Sequence, residues 1–313
     1  EEGIRCHLAG NIGYPLCSFL DKLQKGDVIV METSCQQLNN VKEFKPHIAV
    51  MTNLSEAHVD FFDNSYKKYK DVKTKIFKNQ TKDDIAILNL ENDEVLKQTE
   101  NIKSKKLYFS SKKKADCYLK DDIIYYNDEE VLDTNRMIIV GNHNKENVMA
   151  SIMVAKEFNV SNETIRKVAY NFKGVEHRLE FSGEVDGVKY YNDTEATNIK
   201  CTQIALSSFN KPTIIILGGL ERGQDFNELT PYMKNVKAVL AIGECRKRVE
   251  DYAKSLKIPV YTHEFLKDAM KEIEGIKKSG DVVLLSPASA SWDQYKECEI
   301  RGKEFKDYVR KLK

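Results

Sequence analysis

Three things this chain of 313 residues lacks narrow what it can be. It has no excess of one charge: 49 lysines and arginines stand against 48 aspartates and glutamates, a formal net charge of +1. No whole-chain field therefore draws it to nucleic acid or to an anionic membrane, and any phosphate recognition must be local. No apolar run approaches the roughly 20 residues needed to span a bilayer, and no charged start, apolar core and small-residue cleavage site marks a secretory signal. The expectation is a soluble cytoplasmic protein with neither membrane nor nucleic acid as a partner. Its seven cysteines, Cys6, Cys17, Cys35, Cys117, Cys201, Cys245 and Cys298, are odd in number, scattered and never spaced Cys-x-x-Cys. That pattern argues against zinc and disulfide scaffolds and for small thiols in a reducing compartment. Internal repeats and low-complexity linkers are absent as well.

What is present suggests two α/β domains, since the length exceeds one ordinary core. Short apolar runs at Asp27 to Met31, His47 to Thr52 and Ile85 to Leu90 alternate with helical patterns such as Tyr66 to Asn79, as parallel strands with crossover helices require. Lys103 to Asp133 is lysine-rich, then broken by Asp121-Asp122 and Asn127-Asp128, and reads as a peripheral hairpin region. Two amphipathic helices are expected over Asn144 to Phe158 and Ser161 to Phe172, the second capped by its serine. Strand patterns restart at Leu179 to Val185, Val188 to Tyr191, Thr213 to Leu217, Ala238 to Ile242, Val260 to Thr262 and Val282 to Leu285, with helices between them, which predicts a doubly wound sheet.

Five constellations carry chemistry. Phe172 to Glu180 and Tyr191 to Asn198 bracket a turn at Asp186-Gly187 and deliver amides, hydroxyls and carboxylates where a helix should begin, a setting suited to anions. Within it, Arg178 either neutralises developing phosphate charge or pairs with Glu176. Glu32, His58 and Lys73 lie near strand ends or on the following helix; they could hold magnesium or orient phosphate, or be a surface histidine and one lysine among many. Ala9 to Gly13, before a helix expected near Tyr14, is either an anion loop or an ordinary turn. Gly141 to Asn147 offers two amides, Asn144 and Asn147, on one helix face, with Asn144 alternatively a cap. Gly218 to Gly223 and Ser286 to Tyr295 follow buried-strand patterns, where parallel sheets place ligands; the sole tryptophan, Trp292, is otherwise a packing residue.

These segments resemble the Mur ligases over essentially the whole chain. The resemblance implies a partial central ATPase-type domain over residues 1–173 and a doubly wound Rossmann-like C-terminal domain over 174–313 that receives an amino acid. It implies a monomer that joins D-glutamate to UDP-N-acetylmuramoyl-L-alanine through an acyl phosphate in peptidoglycan biosynthesis, using ATP and Mg2+. Glu32-Thr33-Ser34-Cys35-Gln36-Gln37-Leu38 and Thr52-Asn53-Leu54 through His58-Val59-Asp60 match the family's metal-binding segments, and Lys73 falls at its carbamylated lysine, whose CO2-derived carbamate supplies the hard oxygen donor that magnesium needs. Catalytic roles then fall to Lys73, His58 and Arg178. Nucleotide contacts fall to Asn144, Asn147, Arg178 and Asp193, with His177 beside them, and substrate contacts to Asn11, Ser34, Thr197, Arg222, Ser291 and Trp292.

The chain also departs from the family. Glu195 stands where many members carry lysine, Ser289 where cysteine is common and Arg222 where some have lysine. The family's Gly-x-x-x-x-Gly-Lys-Ser/Thr loop is absent from these residues. The expectation is therefore an N-terminally truncated ligase sequence, inactive by itself, with the loop and a UDP-binding domain upstream. Glu195 keeps open a related ligase for another amino acid, and the missing loop keeps open a non-catalytic binding protein.

Overall fold

Gly10, at the end of strand β1 (Cys6–Gly10), lies directly against the carbonyl of Glu32, at the end of the parallel strand β2 (Val28–Glu32). A side chain at position 10 would collide with that carbonyl, so glycine is what lets the two strand ends close up. The structure is a computed structural model that describes residues 2–12, 14–56 and 59–312, without the side chains of 59 and 60. It divides into two compact units, one of residues 1–136 and 145–170, the other of 137–144 and 171–313.

In the first unit the helix expected near Tyr14 is instead two short 3-10 turns, Leu16–Ser18 and Leu20–Lys22, the first opening directly after Pro15. Helix α1 (Cys35–Asn39) starts at a reciprocal capping box between Ser34 and Gln37. Strands β3 (Ile48–Met51), β4 (Ile85–Asn89) and β5 (Lys105–Ser110) pair in parallel. Between β3 and β4 runs helix α2 (Tyr66–Lys73), and between β4 and β5 helix α3 (Asp93–Gln98). Leu38 of α1, Tyr69 and Val72 of α2 and Val95 of α3 cover Met51, Ala86 and Leu88 in one core. Burial of each such large apolar side chain contributes about 1.5–3 kcal/mol.

The lysine-rich stretch corrects the peripheral-hairpin reading. β5 is a parallel member of the main sheet, and β6 (Cys117–Lys120), β7 (Ile123–Tyr126) and β8 (Glu129–Asp133) extend that sheet to six strands. Asp121-Asp122 and Asn127-Asp128 do make the expected tight turns, with φ of 48°, 62°, 49° and 66°. Lys105 and Lys106, which open the strand, hid its continuation through the buried Leu107 and Phe109.

Helices α4 (Asn142–Glu157) and α5 (Asn162–Asn171) follow, α5 capped by Ser161, whose hydroxyl accepts the Thr164 amide at 3.2 Å. In the second unit β9 (Glu180–Val185) and β10 (Val188–Asn192) form a hairpin through Asp186 and Gly187, both at positive φ. Then come α6 (Ile199–Ser207), β11 (Thr213–Gly218), 3-10 turns over Phe226–Asn235, β12 (Val236–Ile242), α7 (Arg246–Ser255), β13 (Val260–Thr262), α8 (Leu266–Ile276), β14 (Val282–Leu285) and α9 (Cys298–Lys311). The sheet order is β13-β12-β11-β14-β10-β9, parallel except for β9.

Residues of α6 and α7 pack on one face of this sheet, and those of α8 and α9 on the other. Chain leaving β10 and β11 therefore turns to one face, while chain leaving β14, which lies between them, turns to the opposite face. That divergence opens a crevice at the carboxyl edge, the place where doubly wound sheets hold ligands.

Candidate functional site

Two sets of the residues singled out from sequence are described, one in each unit. In the first unit Asn11 follows β1 and donates its backbone N–H to the Glu32 carbonyl at 2.9 Å. The pairing of β1 with β2 brings Asn11, Glu32 and Ser34 to neighbouring carboxyl ends. Asn11 and the Glu32 carboxylate are exposed, and the Ser34 hydroxyl caps α1 by accepting from Gln37 N at 3.2 Å. Lys73 is the last residue of α2, where the chain tightens into the 3-10 turn Thr74–Phe77; it is partly buried and forms no ion pair among the described residues. His58 lies outside the described residues.

Asn144 and Asn147 stand in the opening turns of α4, i and i+3 apart as expected. Asn144 is not the cap: it is already helical, and its side-chain amide donates to the Val140 carbonyl at 2.8 Å. Asn147 is exposed.

The second unit carries the denser set, on the loops after β10, β11 and β14. Asp193 follows β10 and is buried; Ser286 Oγ donates to its Oδ2 at 2.7 Å and Leu179 N to its Oδ1 at 3.1 Å. Burial still dominates and pushes its carboxyl up to about 6. Thr197 and Arg222 line one groove of about 430 Å³ together with Asn198, Gln224, Asp225 and Ala288. Ser291, next in the chain to the lining residue Ala290, is 1 % exposed, and its hydroxyl has no hydrogen-bond partner among the described residues. Trp292, in contrast, is 63 % exposed, with the Arg222 guanidinium 4.6 Å from its ring centroid.

Arg178 and Glu195 meet each other. Arg178 does not pair with Glu176; its Nη2 lies 3.6 Å from Glu195 Oε2, while Glu176 bonds Lys306. Lys306 also reaches Glu180 at 3.0 Å, so the group Glu176, His177 and Glu180 already holds its own cation. Glu195, for its part, does not line the groove: its carboxylate meets Arg178 on one side and accepts from Cys298 Sγ at 3.3 Å on the other.

Backbone strain occurs after β14, at Ala288, and just before β9, at His177 and Leu179. His177, Leu179 and Ala288 hold φ of 67°, 42° and 55°, a region that non-glycine residues adopt only when surrounding structure enforces it.

Sequence reasoning missed Arg301. It is 1 % exposed on α9, donates from Nε to Thr194 Oγ1 at 2.9 Å, and donates from Nη2 to the carbonyls of Thr194 and Ser289, both at 3.1 Å. Desolvation lowers it to about 10, which leaves it cationic at neutral pH. The signal was legible: Arg301, Phe305 and Val309 recur every fourth residue, which puts an arginine on an apolar helix face. Gly302 lets that face seat, because a side chain there would run into His177 and Thr194.

Two family models match this chain. The model of the Mur ligase middle domain matches residues 7–155, and that of the Mur ligase glutamate ligase domain matches 177–289. A UDP-N-acetylmuramoylalanine–D-glutamate ligase of Enterococcus hirae is 42% identical over 97% of this chain and 67% of its own length. The ligase of the same name from Geobacillus sp. (strain WCH70) is 41% identical over 98% and 68%. Among solved structures, the MurF ligase of Thermotoga maritima in complex with ADP aligns with a TM-score of 0.72 at 19% identity, over 99% of this chain and 75% of that one. The same organism's UDP-N-acetylmuramate-alanine ligase aligns at 0.66 and 15%, over 99% and 76%. These two share the fold, the two ligases named for D-glutamate share the sequence, and the chain belongs to the Mur ligase family.

Proposed function

We propose that this chain serves the ATP-dependent ligation of D-glutamate to UDP-N-acetylmuramoyl-L-alanine, a carbon–nitrogen bond-forming step of peptidoglycan biosynthesis that passes through an acyl phosphate. The observation that carries the reading is the carboxyl edge of the second sheet. There Thr197 and Arg222 open on one groove, and Ser291, whose buried hydroxyl has no partner among the described residues, directly follows Ala290 of its lining. Arg222 offers a fork that matches a carboxylate, and a hydroxyl without a partner gains the hydrogen bond it lacks when a ligand oxygen arrives. Trp292 packs against Arg222 and restricts where that fork points. Arg178, 63 % exposed, remains reachable by an anionic phosphate while Glu195 balances it.

ATP and Mg2+ are the cofactors of the family. The donor set of the first unit fits the metal in part: Glu32 presents a carboxylate without an ion pair among the described residues, and Lys73 becomes an oxygen donor only as a carbamate, as we propose it is, with His58 proposed as the remaining ligand. When bound, the metal neutralises phosphate charge. Asn11 and Ser34, just after β1 and β2, are assigned to the muramoyl substrate, and Asn144, Asn147 and Asp193 to the nucleotide. The acting species is taken to be a cytoplasmic monomer, the first point checked by fractionation and the second by sedimentation.

The test uses the product of the complete gene, supplied with ATP, Mg2+ and UDP-N-acetylmuramoyl-L-alanine. Phosphate release that depends on D-glutamate, with Arg222→Ala raising the KM for D-glutamate far more than that for ATP, is the expected result. Release driven by a cationic amino acid and not by D-glutamate would overturn the assignment in favour of a related ligase.

A further inference from the structure

Arg301 stands behind the amino-acid groove, on α9, and reaches all three loops that build it. It bonds Thr194 after β10 and Ser289 after β14, and a Cβ placed on Gly219 after β11 would come within 3.1 Å of its Nη1. In sequence, Thr194 precedes Thr197, Gly219 precedes Arg222 and Ser289 precedes Ser291, each by two or three residues. One guanidinium therefore contacts the root of each loop that carries an assigned amino-acid contact.

The arrangement is a costly one if stability were its only purpose. Arg301 is 1 % exposed and has no ion-pair partner among the described residues; carbonyls and one hydroxyl satisfy it. An apolar side chain of similar volume packs in such a place without desolvating a charge. What an apolar chain lacks is the planar fork, which fixes three directions at once, and what lysine lacks is the same fork, though it retains the charge.

We propose that Arg301 is the positioning residue of the amino-acid site: it sets the spacing of Thr197, Arg222 and Ser291, and its buried positive charge favours an acidic amino acid in the groove they form. This rests on the D-glutamate reading above and adds to it a residue that touches no substrate.

The experiment compares Arg301→Met and Arg301→Lys with the parent enzyme, all expressed from the complete gene, by steady-state kinetics against each substrate and by thermal melting. Arg301→Met is expected to raise the KM for D-glutamate at least tenfold while the KM for ATP stays within twofold, and Arg301→Lys to recover part of that loss. An unchanged KM for D-glutamate in folded Arg301→Met overturns the proposal, as does an equal rise for every substrate that tracks the loss of melting temperature. Should Arg301→Met fail to fold, Thr194→Val decides, since it keeps the shape and removes the oxygen that Nε binds, together with that oxygen's bond to the Cys298 carbonyl: a severalfold higher KM for D-glutamate with the KM for ATP unchanged supports the role and an unchanged KM for D-glutamate overturns it. A parent enzyme that releases no phosphate in response to D-glutamate would instead sink the ligase reading itself.

Discussion

Arg178 and Glu195 face each other at 3.6 Å, and the thiol of Cys298 donates to the second oxygen of the same carboxylate. This relationship removes the main obstacle to an acidic substrate. At about 4 Å and an effective dielectric near 20, a carboxylate aimed at the amino acid would repel it by about 4 kcal/mol, roughly a thousandfold in binding. Glu195 instead balances Arg178, and an exposed pair of that kind is worth only about 0–1 kcal/mol. Glu195→Lys is therefore expected to leave kcat/KM for D-glutamate within about threefold at low salt. A gain of hundreds-fold would show that Glu195 faces the substrate after all.

Trp292 is the only tryptophan of these 313 residues, so in this chain its fluorescence reports on Arg222 without labelling. The ring is exposed and lies against the Arg222 guanidinium, a contact worth about 0.5–1 kcal/mol at such a site. Trp292→Leu should raise the KM for D-glutamate about two- to fivefold with kcat little changed, because Arg222 keeps its charge and loses its support. Arg222→Ala should alter the tryptophan emission of the free protein. Emission that ignores Arg222 would place the two side chains apart in solution.

Much of this architecture was written in local pattern. The runs at Val260 to Thr262 and Val282 to Leu285 coincide with β13 and β14, β14 being a buried apolar parallel strand and β13 a short, partly exposed edge strand, both bounded by turns. Pattern failed where tertiary structure overrode it. The strand β5 is masked by lysines on its exposed positions, and Pro15 yields tight turns where a helix was expected. Side-chain partnerships were the least legible: nothing local distinguishes Glu176 from Glu195 as the partner of Arg178, a choice made by α9, which brings Lys306 to Glu176 and Cys298 to Glu195. For Arg301 the apolar-face spacing was legible but the partners were not, since they are 107 and 12 residues away.

Asp193 makes stability depend on pH in an unusual direction. Its folded value, about 6, lies above the ordinary 3.8, so the folded state binds a proton more tightly than the unfolded chain does. Its contribution to stability is therefore greatest below about pH 4 and declines as pH rises through about 6. A shift of about two units corresponds to about 3 kcal/mol. Asp193→Asn keeps the shape, and the Ser286 hydroxyl, which also meets Thr202 at 3.1 Å, can rotate to accept from the new amide. The variant should be more stable than the parent by up to that amount at pH 8, with the difference shrinking toward pH 4.5, as measured by denaturant unfolding. A difference that does not vary with pH would mean that Asp193 is not titrating in this range.

Lys73 offers the sharpest test of the metal half of the proposal. It ends α2, next to the buried Val72 that anchors this helix in the core, so its Cα is held while its amine remains partly exposed and free of any ion pair among the described residues. An amine in that state can add CO2: its nitrogen forms a bond to the carbon, a proton is released, and a cation becomes an anionic oxygen donor. Bicarbonate labelled with 13C should then give a carbamate resonance in the parent protein that is missing from Lys73→Ala and fades on acidification, as carbamates revert to amine and CO2. In the enzyme expressed from the complete gene, Lys73→Ala should lose most amide synthesis and regain part of it with added short carboxylates, since oxygen rather than nitrogen is what magnesium takes. Turnover close to that of the parent in Lys73→Ala would remove Lys73 from the reaction, and a loss without carboxylate rescue or a carbamate signal would leave it an ordinary helix terminus.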